Sequence, residues 1–213
     1  MKDKYKKRKG LSYLKGFFSE KLLKQKSDEH FKNLLKERWS HVQGKRVLDA
    51  GCGYCEFFNL KPDAVDLYGV DVKKIKHPKI KFGDLNKKVP YSDNYFDTVV
   101  CFHVLEHLKE PEIAILEFLR VLKNGGRVVL TVPNYSFKKF FEDYTHVRPY
   151  PKIALHNILV ANGFKEIEIV QGHHSSQIIS ALFLFFPSLR WKIEKILGKF
   201  FPYEITAIAR CYK

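Results

Sequence analysis

Residues 47–53 have the sequence Val-Leu-Asp-Ala-Gly-Cys-Gly, in which an apolar run with one acid ends at two glycines. The run predicts a buried strand, and the missing Cβ atoms of Gly51 and Gly53 would let the backbone approach a ligand closely. The next predicted strand ends at Asp71, 20 residues after Gly51. An acid at about this distance can reach the hydroxyls of a ribose. Together these features predict a nucleoside or nucleotide site at the strand ends.

Strands and helices alternate along most of the chain. Helices are predicted at about 28–40, 111–123 and 153–161, and strands at 46–50, 67–71, 79–82, 96–102, 127–132, 165–170 and 203–211. This alternation predicts an α/β fold with a mostly parallel sheet and helices on both faces. Asn124-Gly125-Gly126 is expected to end the second helix.

The chain has 213 residues and 45% hydrophobic content, which favours one domain. Residues 1–27 are predicted to be a basic, flexible segment, and residues 28–213 the single domain. The net charge of +15 favours an anionic partner such as nucleic acid, a phospholipid surface or a phosphorylated substrate. Four unevenly spaced cysteines and no apolar signal segment argue against a secreted disulfide scaffold, so a cytoplasmic location is expected.

Residues 175–201 are predicted to be an apolar helical insertion before the last strand. Residues 178–186 are strongly apolar, and the following residues combine apolar positions at helical spacing with positive charge. Such a segment can lie on a membrane, so 178–201 is a candidate for peripheral membrane contact or for a lid over a lipid-linked acceptor. The alternative is that it packs over the sheet. Its apolar runs are too short to span a bilayer.

The residues around Asp49 distinguish between cofactors. A dinucleotide fingerprint would need a third glycine at position 56, which is Glu56, and Asp49 would repel a pyrophosphate. A cofactor with a sulfonium and an ammonium group, and no phosphate, would be attracted to Asp49. The segment therefore favours S-adenosylmethionine.

From about Lys45 to Asn134 the chain resembles the class I S-adenosylmethionine-dependent methyltransferases. It has the Gly-Asp-Leu motif of one large group at residues 83–85 and the Val-Leu-Glu-His-Leu motif at residues 104–108. The resemblance implies a Rossmann-like sheet of seven strands in which the last strand is antiparallel. It also implies S-adenosylmethionine as the cofactor.

The resemblance implies roles for residues at the first two strand ends. Asp49, Gly51 and Gly53 would surround the methionine part of the cofactor. Asp71 would bind the ribose, and Val72 beside it is included in the predicted site.

The resemblance also implies roles at the next two strand ends. Asp84 would accept a hydrogen bond from the adenine amino group, and the backbone of Leu85 would meet the ring. Cys101 and Phe102 would border the transferred methyl group. One position departs from the family, which often has a third glycine where this chain has Cys55.

Two histidines are candidate catalytic residues. His103 follows the fourth strand, where open parallel sheets place ligands, and His146 lies in an aromatic loop over residues 135–150 that is predicted to cover the acceptor. Either imidazole could take a proton from an acceptor hydroxyl, or both could be packed or solvated. Glu106 and His107 match a pair that is commonly structural in the family, and no metal ligand is predicted.

The expected reaction is methyl transfer to an oxygen of a small, lipidic or sugar-containing acceptor. The chain lacks an Asn/Asp-Pro-Pro-aromatic segment and a Pro-Cys nucleophile, which makes methylation of nucleobases less favoured. The alternative is a non-catalytic or RNA-directed methyltransferase-like protein that binds nucleic acid through its basic surface.

Overall fold

The computed structural model describes residues 32–55, 57–134, 138–171 and 204–213, together with Ile193 and Ile196. Helical residues are 32–40 (α1), Pro111–Val121 (α2), Lys138–Glu142 (α3) and Lys152–Ala161 (α4). The strands are Arg46–Ala50 (β1), Asp66–Asp71 (β2), Ile80–Phe82 (β3), Phe96–Phe102 (β4), Leu122–Pro133 (β5), Phe164–Gln171 (β6) and Glu204–Cys211 (β7). Single 3-10 turns form at Phe57–Leu60 and Leu105–His107.

The strands form one seven-stranded sheet in the order β3-β2-β1-β4-β5-β7-β6. The pairs among β1 to β5 are parallel, and β7 runs antiparallel to both β5 and β6. The seven strands and the antiparallel last strand confirm the Rossmann-like sheet that the family resemblance implied. The chain moves outward from β1 to β3 and then returns to β4 beside β1, so a crevice opens between the carboxyl ends of β1 and β4, where such sheets bind ligands.

Both faces of the sheet are covered by apolar side chains. On one face α2 contributes buried residues at helical spacing, Ala114, Ile115, Phe118 and Val121, to the larger core cluster. The smaller cluster includes Leu35 of α1, together with Val47, Phe57 and Val100. Because both faces are buried, the parallel strands are nearly continuous apolar runs. The two acids Asp49 and Asp71 lie close to the carboxyl ends of β1 and β2.

The end of α2 differs from the prediction. The helix ends at Val121, and β5 begins at Leu122 and includes Asn124-Gly125-Gly126. Leu122 is fully buried in extended conformation and pairs with Phe96, so the chain passes from the helix straight into the sheet. The two glycines therefore lie within a strand whose pairing register shifts, and they do not end the helix.

Several predicted segments lie wholly or partly outside the described residues. Residues 1–27, and 28–31 of the predicted leading helix, are among them, as is 175–201 apart from Ile193 and Ile196. No helix in the described part of the chain is long and apolar enough to cross a membrane.

Candidate active site

The turn after β1 is shaped by glycine. Gly51 and Gly53 have φ values of 82° and 52°, in the left-handed region that favours glycine. A Cβ atom at Gly51 would lie 2.4 Å from a methyl carbon of Val104, just beyond the end of β4. The missing side chain therefore lets the β1 turn pack closely against the chain that follows β4.

Asp71 connects the loops that follow β1 and β2. Its carboxylate accepts hydrogen bonds from the backbone N–H of Gly53 and from that of Lys73, each at 2.8 Å. The residue is 8% exposed at the end of β2. A carboxylate has about four acceptor positions. Asp71 can therefore hold the two loops together and still accept hydrogen bonds from the hydroxyls of a ligand.

Asp49 is a buried acid without a hydrogen-bond donor among the described residues. It lies in β1 and is 5% exposed. Burial raises its pKa to about 7, the charge of Arg38 opposes the shift, and the charge of Asp71 adds to it. An ionised carboxylate in such a place is costly unless a cation compensates it. The crevice is thus prepared for a positively charged ligand.

Cys55 explains the departure from the glycine pattern. Its φ is 61°, so the backbone of this residue has the left-handed conformation that glycine would adopt without strain. Its backbone N–H donates to the carbonyl of Cys52 at 2.8 Å. Both thiols are free, and burial, as the largest cause, raises the pKa of each. They are neutral thiols at pH 7, and the turn keeps its shape without the third glycine.

Asp84 forms a turn at the end of β3. One of its oxygens accepts from the backbone N–H and the side-chain amide of Asn86, each at 3.0 Å, and these bonds lower its pKa. The side-chain oxygen of Asn86 in turn accepts hydrogen bonds from the backbone N–H groups of Lys109 and Glu110, just before α2. Leu85 is buried. The loop predicted to bind adenine is therefore anchored to the start of α2.

Apolar side chains are exposed next to these acids. Val72 and Phe82, at the ends of β2 and β3, are 60% and 61% exposed. Phe102, at the end of β4, is half-buried and contacts Phe57, while Cys101 is fully buried. Of these residues, Val72 and Phe82 offer apolar surface to a flat ring, whereas Cys101 can border a ligand only through its backbone.

His103 belongs to an ion cluster that sequence reasoning did not find. Its Nε2 lies 2.8 Å from Oε2 of Glu204, and Arg38 donates to the same oxygen at 3.0 Å. Nη2 of Arg38 and Nε2 of His103 are 3.1 Å from each other, and both lie within hydrogen-bond distance of that oxygen. The guanidinium of Arg38 also lies 4.7 Å from the centre of the Phe102 ring.

The cluster fixes the charge of His103. Burial lowers its pKa, but the carboxylates of Glu106 and Glu204 outweigh burial and raise it to about 9. Burial raises the pKa of Glu204, and the stronger effects of Arg38 and His103 lower it to about 2. At pH 7 His103 is therefore a protonated hydrogen-bond donor. Action as a base would first require loss of that proton.

The sequence offered no local signal for this cluster. Arg38 comes from α1 and Glu204 from the first position of β7, and the antiparallel pairing of Glu204 with Pro133 brings it to the edge where β5 ends. The structure therefore joins three residues that are far apart along the chain.

His146 and His103 both lie close to Glu106. The Glu106 carbonyl accepts from the backbone N–H of Val147 at 2.8 Å, and the rings of His146 and His107 are 4.8 Å apart. Glu106 Oε1 lies 3.7 Å from Nδ1 of His103. Both predicted catalytic histidines thus border the buried Glu106, which the sequence reasoning treated as structural.

The predicted aromatic loop contains a short helix. Residues 138–142 form α3, while residues 135–137 lie outside the described part of the chain. Phe140 and Tyr150 are buried, whereas Phe141 and Tyr144 are 70% and 97% exposed. Only part of this aromatic surface is used to close the core.

Comparison with known proteins agrees with the fold. The family model described as a methyltransferase domain matches residues 21–169. The chain is 35% identical over 126 residues to a demethylmenaquinone methyltransferase of Renibacterium salmoninarum, covering 53% of each chain. It is 29% identical over 118 residues to a ubiquinone biosynthesis O-methyltransferase of Dechloromonas aromatica, covering 46% of this chain and 49% of the relative. The chain therefore spans about half the length of these two curated relatives.

A solved structure extends the likeness to most of the fold. An S-adenosylmethionine-dependent methyltransferase from Archaeoglobus fulgidus superposes with a TM-score of 0.62 at 24% identity, covering 85% of this chain and 93% of the other. The family match covers more than half of the chain, and the strand order agrees with it. The chain belongs to the methyltransferase domain family.

Proposed function

We propose that this chain transfers the methyl group of S-adenosylmethionine to an oxygen of a small, lipidic or sugar-containing acceptor. The observation that carries the proposal is the buried acid Asp49, which lies at the β1–β4 crevice with no hydrogen-bond donor among the described residues. A sulfonium or ammonium group would supply the missing positive charge, whereas a phosphate would be repelled.

The neighbouring groups fit the rest of this cofactor. Asp71 has acceptor capacity left for ribose hydroxyls after holding two backbone N–H groups. The exposed side chains of Val72 and Phe82 offer apolar surface for an adenine ring, next to the turn at Asp84. Each feature matches one part of the nucleoside, and all of them lie along one edge of the sheet.

The acceptor side combines polar and apolar groups. His103, which follows β4, and Arg38, which lies on α1, are donors that can orient an acceptor oxygen. The exposed rings of Phe141 and Tyr144 can contact an apolar acceptor. Methyl transfer from a sulfonium is an in-line displacement that depends mainly on alignment of nucleophile, carbon and sulfur. The chain therefore needs no covalent nucleophile for this reaction.

Removal of the acceptor proton requires a neutral base. His146 Nδ1 lies 2.7 Å from the carbonyl of Phe140, which can only accept, so this nitrogen carries the hydrogen. In the neutral ring its Nε2 then holds the lone pair. By this criterion His146 suits the base role better than the protonated His103.

The experiment is a mass-spectrometric screen of quinol, phenol, lipid-linked and sugar acceptors incubated with the protein and S-adenosylmethionine carrying a trideuteromethyl group. We expect one acceptor class to gain the mass of a trideuteromethyl group on an oxygen. Labelling of nitrogen or of RNA alone would contradict the proposed acceptor. In parallel, a thermal shift with RNA and none with the cofactor would support the nucleic-acid alternative suggested by the +15 charge.

A further inference from the structure

A second polar cluster lies beside the candidate active site and contains Glu106, His107 and His146. One ligand-type atom from each side chain lies within 4.8 Å of the others. Glu106 is 1% exposed, and its Oε2 atom has no hydrogen-bond partner among the described residues. A buried carboxylate oxygen without a donor is unfavourable unless a positive group meets it. Protonated His103 faces the other oxygen, Oε1, at 3.7 Å, and Oε2 is left as an independent sign of a further cationic ligand.

The hydrogen bonds of the two rings prepare their outer nitrogens for a metal. His107 Nδ1 lies 3.1 Å from the carbonyl of Thr145, and His146 Nδ1 lies 2.7 Å from the carbonyl of Phe140. Because a carbonyl only accepts, each Nδ1 carries the hydrogen, and in the neutral ring each Nε2 holds the lone pair. Metal-bound histidines typically have this second hydrogen bond to a carbonyl or carboxylate.

The surrounding backbone holds the three groups together. The Glu106 carbonyl accepts from the N–H groups of Val147 and Arg148, which keeps the His146 loop against the turn that carries His107. The hydroxyl of Thr145 is 3.0 Å from Nδ1 of His107, and the backbone N–H of Thr145 donates to the carboxylate of Asp143. The cluster is thus fixed by contacts that do not use the ligand atoms themselves.

We propose that Glu106, His107 and His146 bind a divalent first-row transition metal, for which zinc is the best-matched ion. Two imidazole nitrogens and one carboxylate form a common set of protein ligands for zinc and leave a fourth position open. Neighbouring ligands of a tetrahedral zinc ion are about 3.4 Å apart. Glu106 Oε1 and His107 Nε2 are 3.9 Å apart, so a small side-chain movement completes the contact.

The open position would face the reaction. This use of the metal rests on the proposed function, whereas metal binding itself does not. A metal on Nε2 of His146 would replace the base role of that nitrogen. An acceptor hydroxyl on the metal would have a lowered pKa and would release its proton to solvent. The resulting oxygen would attack the methyl carbon, so that the new carbon–oxygen bond forms as the carbon–sulfur bond breaks. The electron pair of that bond would stay on sulfur, and S-adenosylhomocysteine would leave.

The test is a calorimetric titration of zinc chloride into tag-free, chelator-treated protein. We expect one equivalent of zinc to bind to the original chain. The zinc affinity should be about 10–100-fold lower, or lower still, in each of the variants E106Q, H107A and H146A. The reason is that loss of a ligand should weaken binding at least as much as loss of an outer-shell partner. His156 lies on α4, where its ring contacts Asn157, so H156A is the matched control and should bind zinc like the original chain. Bound zinc should also raise the melting temperature of the original chain and of H156A.

A titration of S-adenosylmethionine into every variant separates the possible failures. Variants that keep cofactor binding are folded, so their loss of zinc binding supports the site. Equal zinc affinity in the original chain and in all three ligand variants would overturn it, as would the absence of saturable binding in the original chain. If zinc binds and the cofactor does not, the metal site stands and the proposed function fails.

Discussion

The charge of Asp49 should make cofactor binding depend on pH. Burial raises the pKa of this carboxyl to about 7 in the chain without ligand, and a cationic ligand would pull it far below that value. Below pH 7 the cofactor must therefore displace a proton in order to bind. The affinity for S-adenosylmethionine should fall as the pH falls, because protonated Asp49 has no charge to offer.

The size of the effect follows from the pKa. For a group with a pKa of about 7, the dissociation constant at pH 6 is about eightfold larger than at pH 7.5, which is about 1.2 kcal/mol. At pH 7.5 about three quarters of the cofactor's own amino group, whose pKa is about 8, is still protonated, so its titration changes the affinity little over this range. Calorimetry at fixed ionic strength across this range measures the change directly.

Two controls isolate Asp49. The variant D49N has a similar shape and no charge, so it should bind the cofactor more weakly at pH 7.5 and show little change down to pH 6. The analogue 5′-methylthioadenosine has neither the sulfonium nor the α-amino group of the methionine part. Its affinity should stay nearly constant over the same range. An unchanged affinity of the original chain between pH 6 and pH 7.5, or the same acid loss in D49N, would refute this reasoning.

Three further predictions concern stability and the strand-end loops. Replacing Glu204 with Gln should leave its two partly buried cationic partners uncompensated and lower the free energy of unfolding by about 3 kcal/mol at pH 7. Because the pKa of Glu204 is lowered from 4.5 to about 2, the original chain should lose about 3 kcal/mol more than E204Q between pH 5 and pH 2, as measured by urea unfolding. Gly51→Ala should lower the melting temperature more than Gly125→Ala, because both have positive φ but only Gly51 has a neighbour within 3 Å of the new Cβ. Asp71→Ala should weaken cofactor binding by about 2–3 kcal/mol in calorimetry, and an unchanged affinity would remove its role at the ribose.

The strand-end acids could be predicted because their signals are local. An apolar run that ends at Gly51 identifies β1, and the spacing to Asp71 identifies the end of β2, so the edge of the sheet that carries both acids follows from the sequence alone. The structure confirmed the mostly parallel sheet, and also the seven strands and the antiparallel last strand that the family resemblance implied. What the sequence could not show is that Asp71 also holds the backbone of the turn after β1.

The end of α2 was mispredicted because tertiary contacts outweighed local glycine signals. Leu122 is fully buried beside Phe96, and this burial takes the chain into β5 before the glycines are reached. The ion cluster of Arg38, His103 and Glu204 escaped prediction for a related reason. Its members come from three elements, and only the folded sheet brings them into contact.

The metal-type cluster also shows the limit of motif reasoning. Glu106 and His107 are adjacent in a familiar motif, but His146 lies in a later loop, and no sequence spacing links the two segments. The backbone hydrogen bond from Val147 to Glu106 is what joins them. A later loop thus brings a third ligand-type side chain to a motif for which the resemblance implied a structural role.

The central claim is that the β1–β4 crevice binds S-adenosylmethionine, and one calorimetric titration of the original chain tests it most directly. We expect saturable binding of one cofactor molecule per chain at pH 7.5, and weaker binding when Asp49 is changed to Asn. The absence of any heat or thermal shift at millimolar cofactor would contradict the claim.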